Sequence, residues 1–251
     1  MKLLFVRHGE PDYTIDSLTE KGWKEAELLA ERMERIDAEE RIREIYVSPL
    51  GRAQDTAAPT LKRLRRNAVT LDWLEEFPPQ ILRPDADGRR EIAWDWLPED
   101  WTVRSCFYDP DCWGDDPVMR EAHVKERYDS ICSSFDRLLA SHGYVRENRL
   151  YRAVQANRDT LVFFCHLGVE CVLVSHLLHM SPMQLWQGFC LQPSSVTGIS
   201  TEERRKGKAC FRVLYFGDTS HLYAAGEQPS FAARFCECYD DAEQFGERTD
   251  D

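Results

Sequence analysis

Three stretches of this chain set ionisable side chains at the points where backbone elements end. Arg7-His8-Gly9-Glu10 follows the apolar run Leu3, Leu4, Phe5 and Val6, which reads as a buried strand. Ligands of open α/β sheets bind in the crevice outside the carboxyl ends of strands, so His8 stands where chemistry is done. The arginine beside it suggests an anion. The second stretch, Val47-Ser48-Pro49-Leu50-Gly51-Arg52-Ala53-Gln54-Asp55-Thr56-Ala57, reads as a strand end, an N-cap at Ser48, Pro49 at the first helical position, and a helix. Arg52 then falls in the first turn, where a cation opposes the helix dipole at a cost of about a few tenths of a kcal/mol. An anion held between Arg52 and the helix N-terminus would offset that cost. In the third stretch the apolar run Leu161, Val162, Phe163, Phe164 and Cys165 ends in His166, and the helical run Val169, Val172, Leu173, His176 and Leu177 follows. His166 therefore sits at a strand end and a helix start, where free backbone N–H groups favour phosphate.

The elements that must position these residues are legible to different degrees. Thr19 caps a helix whose apolar residues Trp23, Ala26, Leu29, Met33 and Ile36 recur at helical spacing. Ile45, Tyr46 and Val47 make a second strand, the helix from Pro49 runs to about residue 66, and 68–71 gives a third strand. The basic end of that helix, Lys62, Arg63, Arg65 and Arg66, is of the kind the helix dipole favours. Residues 77–116 form a loop-rich insertion too long for a plain connection, and its tryptophans, Trp94, Trp96, Trp101 and Trp113, argue against disorder. We expect this insertion to fold over the pocket as a cap, with some of the four tryptophans forming a small core. Pro117 opens a long helix with the buried stripe Tyr128, Ile131, Cys132, Phe135, Leu138 and Leu139, ending near Gly143. Segments 196–201 and 210–216 flank a charged turn and read as an antiparallel hairpin.

Each of the three stretches is a weak signal alone; their order along the chain is strong. RHGE, SPLGRAQDTA and the strand leading to His166 resemble the histidine phosphatase superfamily, also called phosphoglycerate-mutase-like, over most of the sequence. The resemblance implies an α/β three-layer sandwich, with a mostly parallel sheet and helices on both faces. It also implies hydrolysis of a phosphate monoester through a phosphohistidine: His8 would attack phosphorus, splitting one hard step into two. Arg7, Arg52 and His166 would bind the phosphate and stabilise the charge of the transition state, so that His166 serves both catalysis and binding. The family's proton donor to the leaving alkoxide follows the third strand, which selects Glu76 in Asp72-Trp73-Leu74-Glu75-Glu76-Phe77, with Glu75 as the alternative acid. Two departures stand out. Leu167 replaces a glycine common after the second histidine, and Pro11-Asp12-Tyr13 lacks the tryptophan-asparagine pair of phosphoglycerate mutases. The second departure favours a phosphatase over a mutase. A non-catalytic phospholigand-binding module is a third reading, against which the full set of residues argues. Glu10 and Asp12 would flank the pocket and repel heavily charged substrates.

Composition bounds the partners. Among 251 residues, 32 Lys and Arg face 44 Asp and Glu, a formal charge of −12 that disfavours nucleic acid, since that binding relies on basic patches and released counterions. A small phosphorylated substrate remains admissible, because a local cationic pocket can sit in an acidic protein. The apolar stretch before Arg7 is too short for a secretory signal, and 161–180 carries too many polar residues for a membrane span. The odd count of nine scattered cysteines suggests a reducing, cytoplasmic setting. No cofactor or metal is implied: His176 and His179 lie three apart without a third ligand pattern, Cys236 and Cys238 fit no zinc spacing, and His221 reads as structural. We therefore expect one domain over 1–251, with 77–116 as its cap and 237–251 as an acidic, frayed tail; the oligomeric state is not readable.

Overall fold

The apolar runs form the middle of one eight-stranded sheet. In the computed structural model, residues 1–85, 88–232 and 234–240 are described. The strands are β1 (Lys2–Arg7), β2 (Ile42–Val47), β3 (Val69–Thr70), β4 (Tyr144–Glu147), β5 (Leu150–Ala153), β6 (Thr160–Cys165), β7 (Val196–Arg205) and β8 (Lys208–Asp218), in the spatial order β3-β2-β6-β1-β7-β8-β5-β4. Six strands run one way and only β7 and β5 are reversed, so β3, β2, β6 and β1 form a continuous parallel block. Register within that block aligns Arg7 with Cys165 and Phe164 with Val47. The residues that follow the three strands, His8, His166 and Ser48, are thereby delivered level at one edge.

Alternation along the strands feeds two cores. Leu3, Phe5, Leu161 and Phe163 face one side, under α3 (Val124–Ser141), α4 (Leu167–Leu178) and α5 (Pro182–Gly188). Leu4, Val6, Val162 and Phe164 face the other, under α1 (Glu20–Glu40) and α2 (Gly51–Leu64). Strands buried on both faces read as continuous apolar runs, which is why these were visible in the sequence. The chain is thus the expected three-layer α/β sandwich.

Local departures have local causes. Thr19 caps α1 by accepting the Gly22 N–H at 3.0 Å, but the buried stripe runs through Gly22, Ala26, Leu29 and Met33, which leaves Trp23 at its rim and 40% exposed. Helix α2 begins at Gly51 and not Pro49, after an extended Leu50, so Ser48 is not its N-cap. Its basic end is structural: Arg63 meets Glu27, Glu31 and Glu34 of α1, and Arg66 donates to the Ile42 and Arg43 carbonyls. The single long helix expected from Pro117 is two, Pro117–Glu121 and α3, because His123 takes a left-handed backbone (φ 53) that no α-helix accommodates. The β4–β5 hairpin was not foreseen, since charged Arg146, Glu147, Arg149 and Arg152 mask its few apolar residues.

The insertion contains a hairpin, Gln80–Leu82 with Arg90–Ile92, and the short helix Pro98–Thr102. It has no separate core. Trp113 lies 5.1 Å from the ring of Tyr128 on α3 and 5.8 Å from Trp186 on α5, so the buried Trp96, Phe107 and Trp113 extend the main core. Most of the acidic tail, 241–251, lies outside the described residues.

Candidate active site

The parallel block brings together His8, His166, Arg7 and Ser48, and α2 adds Arg52. His8 is 2% exposed, and its backbone N–H donates to the Cys165 carbonyl at 3.0 Å. Its ring Nδ1 donates to the Gly9 carbonyl at 2.7 Å, which fixes the neutral tautomer with a lone pair on Nε2. Burial, with Arg7 and Arg52 nearby, holds its pKa well below 6.5. The ring centroids of His8 and His166 are 5.1 Å apart. His166 is fully buried at the start of α4, and its pKa is likewise held well below 6.5, by burial first and then by His8, Arg52 and Arg7. Gly9 must be glycine: a Cβ there would meet the Gly22 carbonyl at 2.8 Å, where the loop crosses the start of α1.

Ser48 was read as a cap and instead lies against His166. Its Oγ accepts the Leu50 N–H at 3.2 Å and lies 2.7 Å from His166 Nε2. With Ser48 donating to Nε2, the His166 Nδ1–H is free, and that atom has no partner among the described residues. The same holds for the Nε of Arg7 and of Arg52. Buried donors without acceptors cost about 1–3 kcal/mol each, and an anion in their midst would offset that cost.

The anion that accompanies the helix start is internal. Asp16 accepts from Arg52 at 2.5 Å and from the Gly51 N–H at 2.7 Å. It thus occupies the place between Arg52 and the N-terminus of α2 where an external anion was expected, and it aims the guanidinium. Tyr13 lies against the Arg52 guanidinium, 5.5 Å from carbon to ring centroid. Arg7 is anchored by donating to the Leu191 carbonyl. Thr56 accepts the Gly9 N–H at 2.9 Å, tying the first loop to α2. Glu10 is turned to hydrogen bonds with Thr19 and Ser230, so its carboxylate is occupied instead of lining the pocket.

The two glutamates part company. Glu75 pairs with Arg127 on α3 at 2.7 Å. Glu76 reaches the start of α4, where its Oε1 accepts the Phe77 N–H at 2.8 Å and the Val169 N–H at 3.1 Å. Loss of solvent pushes its pKa above the usual carboxylate range, against the opposing pull of these N–H groups and Arg7. The sequence could not show that desolvation wins this balance. Of the remaining histidines, His176 pairs with Asp136 at 2.9 Å, and His221 lies 3.0 Å from Ser194, both structural contacts. No group of three or more His, Cys, Asp or Glu converges as a metal site among the described residues. Nor is any described helix long and apolar enough to cross a membrane.

Glu170, which the sequence offered only as one of the polar residues of 161–180, is fully buried on α4, where neither carboxyl oxygen makes a hydrogen bond of ordinary geometry and the Thr197 hydroxyl is a polar neighbour. Burial pushes its pKa up to about 8, so the folded state keeps a proton that the unfolded chain releases above the ordinary carboxylate range. Stability is full below that range and is lost as pH rises to about 8. Glu170→Gln should therefore match wild type in thermal denaturation at pH 4 and exceed it at pH 8 by on the order of 3 kcal/mol, several degrees in Tm. Equal Tm values at both pH values would contradict this.

The carboxyl ends of the central strands of this α/β sandwich thus gather two neutral histidines, two arginines and a desolvated carboxyl. The sequence model of the histidine phosphatase superfamily (branch 1) matches residues 3–212, and the chain belongs to that family. Among solved structures, it is similar to a mutant phosphoserine phosphatase of Entamoeba histolytica in complex with phosphoserine: 19% identity, 88% of this chain and 98% of that one covered, TM-score 0.57. It is also similar to the mycobacterial glucosyl-3-phosphoglycerate phosphatase, at 20% identity, 87% and 99% coverage and TM-score 0.56. No curated protein matches at the sequence level.

Proposed function

We propose that the protein is a phosphomonoesterase that hydrolyses a small phosphorylated metabolite through a phosphohistidine on His8. The observation that carries this reading is the fixed tautomer of His8, whose Nδ1 is held by the Gly9 carbonyl so that Nε2 presents a lone pair at neutral pH. Nε2 attacks phosphorus in line with the leaving oxygen. Arg7, Arg52 and the His166 Nδ1–H take the non-bridging oxygens, where removing one donor typically costs about 2.7–4 kcal/mol. Glu76 gives its proton to the leaving oxygen and, once ionised, takes one from the water that cleaves the phosphohistidine. Two steps of moderate difficulty replace one hard step. That the similar structures include phosphatases of phosphoserine and of a phosphoglycerate derivative supports a small monoester as substrate.

Turnover of p-nitrophenyl phosphate is the first test, followed by a panel of phosphorylated metabolites. The mechanism uses only side chains, so a chelator is expected to leave the rate unchanged. A strict requirement for added magnesium or zinc would overturn it.

A further inference from the structure

Of three tryptophan indoles in or against the insertion, Trp94, Trp96 and Trp186, one differs from the others. Trp186 donates its Nε1–H to the Gly168 carbonyl at 3.0 Å, and Trp96 donates to the Ala93 carbonyl at 3.1 Å. The Trp94 Nε1–H is buried and has no acceptor among the described residues. Its main chain is pinned from the other side, because the Trp94 carbonyl accepts from Gln187 at 2.7 Å. The insertion therefore spends a fixed ring on an unused donor, at a cost of about 1–3 kcal/mol unless something else accepts it.

Gly168 places that donor beside Glu76. A Cβ at this position would lie 2.6 Å from Trp94 Nε1 and 2.6 Å from Glu76 Oε1, so the indole nitrogen and the carboxyl both pack on the Gly168 backbone and are neighbours, two residues after His166. Resting on the function proposed above, Glu76 contacts the ester oxygen of the leaving group, and the Trp94 donor then stands beside the leaving group and not over the phosphate. We infer that Trp94 is a specificity-determining residue, whose indole N–H donates to an oxygen on the carbon adjacent to the phosphorylated carbon of an alkyl phosphate. Such an oxygen, gauche to the ester oxygen, is the nearest substrate acceptor to a donor that stands beside Glu76. A neutral single donor suits a hydroxyl or carboxylate oxygen and offers nothing to an ammonium group or a bare hydrocarbon. A site built to bond a substrate oxygen rejects the analogue lacking it, because the buried donor is then left unpaired.

The experiment compares kcat/KM for 2-hydroxyethyl phosphate and ethyl phosphate, which differ by that oxygen alone, with phenyl phosphate as a third substrate. Wild type is expected to prefer the hydroxylated ester by about tenfold or more. Trp94→Phe, which keeps a ring and removes the donor, should bring the preference to within about twofold while changing phenyl phosphate turnover by less than about threefold. A wild type without the preference overturns the inference before any variant is made. A Trp94→Phe protein that retains the preference, or loses rate equally on all three esters, overturns it too; the latter result would mean that Trp94 acts on Glu76 or on the fold. If wild type hydrolyses none of the esters, the phosphatase reading itself fails and the subsite falls with it.

Discussion

His8→Ala is expected to lower turnover of every phosphate ester by at least about 10³-fold, because loss of a nucleophile removes the covalent route and leaves only the binding and electrostatic contributions. The fold should survive. The His8 ring donates only to its neighbour's carbonyl, whereas the bond that anchors the segment, from the His8 N–H to Cys165, belongs to the main chain and persists in the variant. Thermal denaturation should show a Tm close to wild type while p-nitrophenyl phosphate hydrolysis disappears. Substantial residual turnover in a folded variant would mean that another group attacks phosphorus.

The second large effect separates the adjacent glutamates. Glu76→Gln should slow hydrolysis of alkyl phosphates by about 10²–10⁴, and that of aryl phosphates far less, since a phenolate leaves without a proton. Glu75→Gln should behave as wild type, because Glu75 is paired with Arg127 on α3. The pH dependence carries a defined sign. The acid must be protonated, and its pKa is raised, so the alkyl-to-aryl rate ratio should fall as pH rises through the Glu76 pKa, above the usual carboxylate range. His8, held well below 6.5, stays neutral at neutral pH and loses nucleophilicity only in acid solution. A ratio independent of pH, or an alkyl-selective defect in Glu75→Gln, would place the acid elsewhere.

The parts of this arrangement that the sequence revealed are those encoded locally. Strands β1 and β6 are buried on both faces and read as unbroken apolar runs, so the positions of His8 and His166 at their ends followed directly. The choice of Glu76 over Glu75 came from resemblance, and the contact that sets the two apart, Val169 to Glu76 across 93 positions, is one that no local pattern encodes. Ser48 was misread because Ser-Pro before a helix is a frequent capping pattern, whereas here the hydroxyl answers to His166, 118 positions away. Asp16 escaped notice for the same reason: an aspartate in a polar loop gives no sign that it will orient Arg52. The four tryptophans pointed to buried structure in the insertion, and Trp96 and Trp113 are buried. That Trp113 would enter the main core while Trp94 brought an unpartnered donor beside Glu76 depended on how the insertion lies against α4 and α5.

The central claim is a phosphoryl group held on His8. Wild-type enzyme mixed with a radiolabelled aryl phosphate and quenched in denaturant within a turnover should carry label that is lost in acid and retained in base, on the peptide containing His8. His8→Ala should carry none. Acid-stable label, as on a serine, or label on any peptide other than that of His8, would contradict the mechanism.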